Sequence, residues 1–381
     1  MGPLAGKRII EMGGIGPGPL AGMMFADMGA EVILVERKST GKPPVGPVVD
    51  ERFAIANRGK KSVALDLKQP GARDVVLRLL AGADGLIEGF RPGVMERLGL
   101  GPVHCLEANP ALVYGRLTGW GQDGPLAQAA GHEINYMALA GALWHSGRGA
   151  APPSAPPTMA GDFSAALLLV TGMLAAMLKA GETGSGDVVD AAISDGSVLS
   201  TTLLYGLFEA GYWRVERQQN VLDGGAYWYD AYECADGGFI TLGALEPQFH
   251  ELLLDKLGLA DEPLFSDRDD RSRWPAQKAR VGELIRTKSR QYWCDLLEGS
   301  DVCFAPVLDF AAAPRHPHNL ARGTFTRVDG VTQPAPAPRF RDSPTGIAGP
   351  PPVCGEHADD VLAAAGYSEA ELADLRDKGV L

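Results

Sequence analysis

Seven histidines and a scatter of carboxylates are the side chains here that could move protons near neutral pH. His316, His318 and His357 sit in polar or Pro-rich segments and read as surface residues, while His104, His145 and His250 have no acidic neighbour in a suggestive motif. His132 differs. In Gly131-His132-Glu133-Ile134-Asn135-Tyr136 it follows a strand and a Gly-rich loop, where α/β proteins keep their active sites, although a satisfied structural histidine fits the position equally. Asp162, in Ala160-Gly161-Asp162-Phe163, precedes an apolar helix expected over Phe163–Lys179. Read structurally it is an N-cap, worth about 1 kcal/mol relative to Ala. Read chemically, the same helix start sets unpaired N–H groups and the positive end of a dipole beside a proton-moving carboxylate, an arrangement that suits a developing oxyanion. Glu246, in Gly243-Ala244-Leu245-Glu246-Pro247-Gln248-Phe249, is either an ordinary charge at a helix start or a supporting acid. A carboxylate paired with His132 would favour the imidazolium and fix its tautomer.

Two other features could hold an anion. Gly14-x-Gly16-x-Gly18 after a strand, with Glu36 ending the next, partly imitates a dinucleotide fingerprint. Pro17 and Pro19 remove two donors from that loop and the third glycine falls one residue early, so the alternative is a tight turn packing a helix on its strand. Between Arg37 and Lys68 stand eight basic residues (Arg37, Lys38, Lys42, Arg52, Arg58, Lys60, Lys61, Lys68) against three acidic ones, a local balance of +5 in a chain of −12. Cations on loops at the carboxyl ends of parallel strands suit a nucleotide phosphate, with Arg91 in Phe90-Arg91-Pro92-Gly93 as a further contributor; a plain solvated face is the alternative.

The elements that must position these residues begin with strand, turn, helix, strand over Lys7–Met12, Gly13–Pro19, Leu20–Met28 and Glu31–Glu36. More such units follow, with a helix over Asp74–Ala81 and strands at Gly85–Glu88 and Ala111–Leu117, which predicts a parallel sheet flanked by helices on both faces. A strand over Asp187–Ala191 and one long helix over Ser194–Phe208 come next. From Tyr227 the texture changes to two alternating runs around Ala235-Asp236-Gly237-Gly238, a hairpin signature. The expected organisation is a large doubly wound domain (1–200, completed by 335–381), a connection (201–225) and a smaller α+β domain (226–334), closed by a terminal helix capped at Ser368.

The chain has 381 residues, 45% of them hydrophobic and 22% charged, the balance of a globular protein, and its net charge of −12 argues against an extended nucleic-acid surface. Five cysteines without a CxxC pair fit reduced thiols in the cytoplasm and no zinc site. Lys7, Arg8 and Glu11 interrupt any signal-peptide core, and the apolar stretch Ala165–Met177 is shorter than a bilayer needs, so no membrane partner is expected.

Assembled, these stretches resemble the type III CoA-transferase family and, within it, the α-methylacyl-CoA racemase branch. The resemblance runs nearly end to end: Gly16-Pro17-Gly18-Pro19, Ala26–Ala30, Arg58–Ser62, Leu65–Lys68, Phe90–Val94, Gly131–Tyr136, Gly161–Phe163, Asn220–Gly225 and Gly243–Phe249. It implies a large Rossmann-like domain with a small second domain, in an interlocked homodimer, and no prosthetic group, CoA being part of the acyl-CoA substrate. It also implies His132, supported by Glu246, on one face of the substrate's α-carbon and Asp162 on the other, with the Asp162 helix amides stabilising an enolate. CoA falls to Arg37, Leu65, Asp66, Leu67, Lys68 and Arg91, and the thioester to Gly131, His132, Glu133, Ile134, Asn135 and Tyr136. Three departures stand out: Glu133 replaces the branch's usual Asp, Ser164-Ala165-Ala166 follows Asp162 where the family is Gly-rich, and the segment Lys38–Asn57 is longer than in that branch. The alternatives are a CoA-transferase using Asp162 as nucleophile and a catalytically silent CoA binder.

Overall fold

The computed structural model describes residues 1–38, 50–156 and 160–381. The chain divides into two compact units, one of Met1–Gly141, Pro157–Ser200 and Gly323–Leu381, the other of Ala142–Pro156 and Thr201–Arg322. Residues 201–225, expected as a connection, fall within the second unit.

The first unit runs β1 (Arg8–Met12), α1 (Pro17–Asp27), β2 (Glu31–Glu36), β3 (Lys61–Ala64), α2 (Ala72–Leu80), β4 (Gly85–Glu88), α3 (Val94–Arg97), α4 (Pro102–Ala108), β5 (Val113–Thr118), α5 (Glu133–Leu139), α6 (Ala160–Thr183), β6 (Asp187–Ala192) and α7 (Ile193–Ser200). Its six strands pair in parallel in the order β3-β2-β1-β4-β5-β6. Strand alternation splits the apolar side chains between two faces. Ile9, Val32, Ile87 and Val113 meet α1 and α6 through Phe25, Ala165, Leu169 and Met173. Ile10, Ile33, Leu86 and Tyr114 face the other core with Val75, Leu79 and the C-terminal Leu372 and Val380. Burial on both sides explains why β1, β2 and β4 read as almost unbroken apolar runs. Chain order reverses between β1 and β4, the switch point at which such sheets form their binding crevice.

The second unit holds α8 (Thr202–Glu209), the antiparallel sheet β7 (Tyr229–Glu233), β8 (Phe239–Gly243) and β9 (Phe304–Val307), and helices α9 (Pro247–Leu257), α10 (Trp274–Ile285), α11 (Arg290–Leu297) and α12 (Pro317–Arg322). Trp228, Trp274 and Trp293 pack in its core with Ile240 and Leu253. The chain then returns to the first unit through the hairpin β10 (Phe325–Val328) and β11 (Val331–Pro334), then α13 (Ala358–Ala364) and α14 (Glu369–Asp377). Ser368 and Glu371 cap α14 reciprocally, as expected.

Two helices differ from expectation. The single helix over Ser194–Phe208 is two, α7 and α8, broken at Thr201. Ser197 and Ser200 turn their hydroxyls back to the carbonyls of Ile193 and Ser197, the local competition that disfavours a continuous helix. Helix α6 spans 24 residues, so by length and composition it could cross a membrane. Ala165, Ala166, Leu169 and Met173 of that helix are buried against the sheet, which makes it the core helix of this unit. The helix already includes Ala160 and Gly161, which places Asp162 inside its first turn and not at the N-cap.

Candidate active site

The turn after β1 sits at the switch point. Gly16 adopts φ +70°, which a residue with a Cβ rarely takes, and a Cβ there would lie 2.8 Å from the Asp162 carboxylate. The Gly-rich turn therefore makes room for an acid that follows it far along the chain. From the sequence the turn reads as a partial dinucleotide fingerprint or a tight packing turn, with nothing local to link it to Asp162; its glycines are the available signal.

Asp162 is buried, and its carboxyl is pushed up from its ordinary value to about 6, first by burial and then by the negative charge of Glu133, with His132 opposing. Among the described residues no Lys or Arg forms an ion pair with it. His132 immediately precedes α5, is exposed, and donates its backbone N–H to the Asn135 side chain at 3.0 Å. Glu133 opens α5 and accepts the Gly161 N–H at 2.7 Å. That amide belongs to the first turn of α6 and is satisfied from α5 by Glu133.

Tyr136 completes the cluster. It is buried, its hydroxyl donates to the Gly131 carbonyl, and its ring meets Trp120 edge-on at 4.6 Å. A Cβ at Gly119 would fall 2.1 Å from the Tyr136 ring, so Gly119 is required for that seat. Burial, then the charge of Asp162, raise the Tyr136 hydroxyl, and Arg91 opposes them. Arg91, on the loop after β4, is thus within electrostatic range of Tyr136. Gly119 and Trp120 follow β5 at its carboxyl end, where no motif in the sequence marks them.

The basic segment is corrected more heavily. Arg58 is 1% exposed and grips Asp27 through two hydrogen bonds (2.6 and 3.1 Å), with Gln333 and the Pro334 carbonyl beyond. Lys60 is sealed against Glu11 and also donates to the Pro19 carbonyl at 3.1 Å. Both cations hold the fold and offer nothing to a ligand. Lys38 donates to the carbonyl of Gly379 and to Leu381, and Lys61 pairs with Glu31. Lys42 lies outside the described residues. Arg37 and Lys68 stay exposed after β2 and β3, with Asp66 turned to the Lys68 N–H and Gln69. Leu65 is buried in the core and Leu67 packs against it. Ile134 and Asn135 are exposed on the first turn of α5. Glu246 belongs to the second unit, where it precedes α9 and its charge raises the thiol of Cys303, after burial.

A doubly wound sheet carrying a buried acid, an imidazole and a cation around its switch point defines an α/β protein equipped for acid–base or acyl chemistry. The chain belongs to CoA-transferase family III, whose family model matches residues 4–358. It is 40% identical to an alpha-methylacyl-CoA racemase of Mus musculus over 99% of this chain and 97% of that protein, and 38% identical to that of Homo sapiens over the same shares. Among solved structures, a CAIB/BAIF family protein from Brucella suis superposes with a TM-score of 0.83 at 25% identity, covering 96% of this chain and 99% of its own.

Proposed function

We propose that this protein is an α-methylacyl-CoA racemase, an isomerase that inverts the carbon α to the thioester of 2-methyl-branched acyl-CoA substrates. The observation that carries the reading is identity of 40% to a racemase over 99% of the chain. The site chemistry supports it. Inversion removes the α-proton to one base, leaves an enolate, and returns a proton to the other face from the conjugate acid of a second base. The pair must hold one proton between them. Asp162, with its carboxyl at about 6, can give up and take back a proton near neutral pH, as one member of such a pair must. His132 is assigned to one face and Asp162 to the other, with Glu246 as the acid that supports His132 and a homodimer as the working form. CoA, a part of the substrate, is assigned to Arg37, the Leu65–Lys68 turn and Arg91, with the thioester along Gly131–Tyr136. Leu65 would contribute backbone only, its side chain being buried.

The test is incubation of (R)- and (S)-α-methyl thioesters in heavy water. Epimerisation accompanied by α-deuterium incorporation is the expected result. Absence of both, with CoA passing to a free carboxylic acid and hydroxylamine trapping Asp162 as an acyl adduct, would instead establish the transferase chemistry.

A further inference from the structure

We infer that the Glu133 side chain is a positioning residue of this site, bridging the helix start that carries His132 to the one that carries Asp162 and so fixing the gap between them. The inference rests on the racemase reading for its kinetic consequence, but its geometry stands on its own. Glu133 directly follows His132, and its carboxylate accepts the N–H of Gly161, the residue directly before Asp162, at 2.7 Å. A first-turn helix amide has no partner within its own helix, so Glu133 supplies one from α5, with the strength of a charge-assisted hydrogen bond. Gly161 is fitted to this approach. A Cβ there would lie 3.2 Å from both Glu133 Cγ and Met137 Cγ and 3.0 Å from the Ser197 hydroxyl. The longer Glu, in place of the branch's usual Asp, therefore spans a definite gap between two helix starts.

The bridge also places one carboxylate beside another. Glu133 holds the Asp162 carboxyl up after burial has done so and His132 acts against it; Tyr136, which feels the charges of Asp162 and Arg91, is a further titratable neighbour. Gly16 faces Asp162 from the β1–α1 turn without a charge. Glu133 thus acts in two separable ways, as an acceptor that sets distance and as a charge that sets proton affinity.

Three substitutions separate the two. Glu133→Gln keeps an acceptor oxygen and removes the charge. It is expected to keep several-fold more of kcat than Glu133→Ala while the acid limb of kcat/KM moves to lower pH. Glu133→Ala removes both, and kcat is expected to fall about 30-fold with little change in KM, the scale of a misplaced catalytic group. Glu133→Asp keeps the charge and shortens the bridge, so the fall in kcat should lie between the two with the acid limb in place. The Asp162 carboxyl titration, followed by 13C NMR in the parent and Glu133→Gln, needs no turnover and should show the midpoint drop in the variant. An unmoved midpoint together with full kcat in Glu133→Ala overturns the inference. A parent that neither exchanges nor epimerises would overturn the racemase reading alone, and the NMR titration would still decide whether Glu133 acts on Asp162.

Discussion

Two buried carboxylates in the first unit, Glu11 and Asp162, meet opposite surroundings. Glu11 faces Lys60 at 2.6 Å with both side chains fully buried, and a Cβ at Gly22 would overlap the Glu11 carboxylate, so the helix is cut away to admit the pair. Burial pushes the Glu11 carboxyl up and the Lys60 ammonium down, and each is drawn back by the other. Among the described residues Asp162 has no such cation; it has a second carboxylate, Glu133, and an exposed imidazole, His132. A matched buried charge is a building element. An acid left beside another acid holds its proton to about pH 6, which suits proton transfer and costs stability.

That contrast can be broken experimentally. Asp162→Asn should lower both α-deuterium exchange and epimerisation by about 10³-fold with the fold intact, the scale of losing a general acid–base group; residual exchange near the parent rate would remove Asp162 from the chemistry. Lys60→Met should do the reverse, destabilising by about 3–5 kcal/mol because Glu11 is left without its charge partner, and Glu11→Leu combined with it should recover most of that loss. Denaturant unfolding of the three proteins checks both statements.

Asp162→Asn should also stabilise. The folded carboxyl binds its proton more tightly than the unfolded one, whose ordinary value is 3.8, so the folded state holds the extra proton between about pH 4 and 6. Stability from this group is accordingly lost as pH rises through that window. The variant should gain on the order of 1–3 kcal/mol at pH 8 and nothing at pH 3.5, read from melting at both values. In turnover the pair works with one proton, so kcat/KM should fall below about pH 6 with the same profile for both epimers. The smallest effect belongs to a surface pair: Lys61→Ala, breaking the half-exposed contact with Glu31, should change stability by less than about 1 kcal/mol.

Much of this was legible before the structure. The apolar run within Glu31–Glu36, the turn at Ala235–Gly238 and the Ser368 cap each express a local preference, and each formed an element where expected. The His132 motif and Asp162 stood out because their residue types are rare carriers of proton chemistry, and the fold brings them into electrostatic contact. The fate of the basic segment was not legible. Arg58, Lys60 and Lys68 look alike in a charge count, yet two turn inward to acids on β1 and α1 and one stays in solvent.

The sequence by itself determined the parallel sheet, the order of its units and the motifs at strand ends, because periodicity and turn chemistry act over a few residues. Only the tertiary structure decided that Gly16 abuts Asp162, that Glu133 reaches Gly161, and that Lys60 is spent on Glu11. Those outcomes depend on which segments share a neighbourhood across the sheet, and burial then set whether each charge became part of the framework or a poised acid.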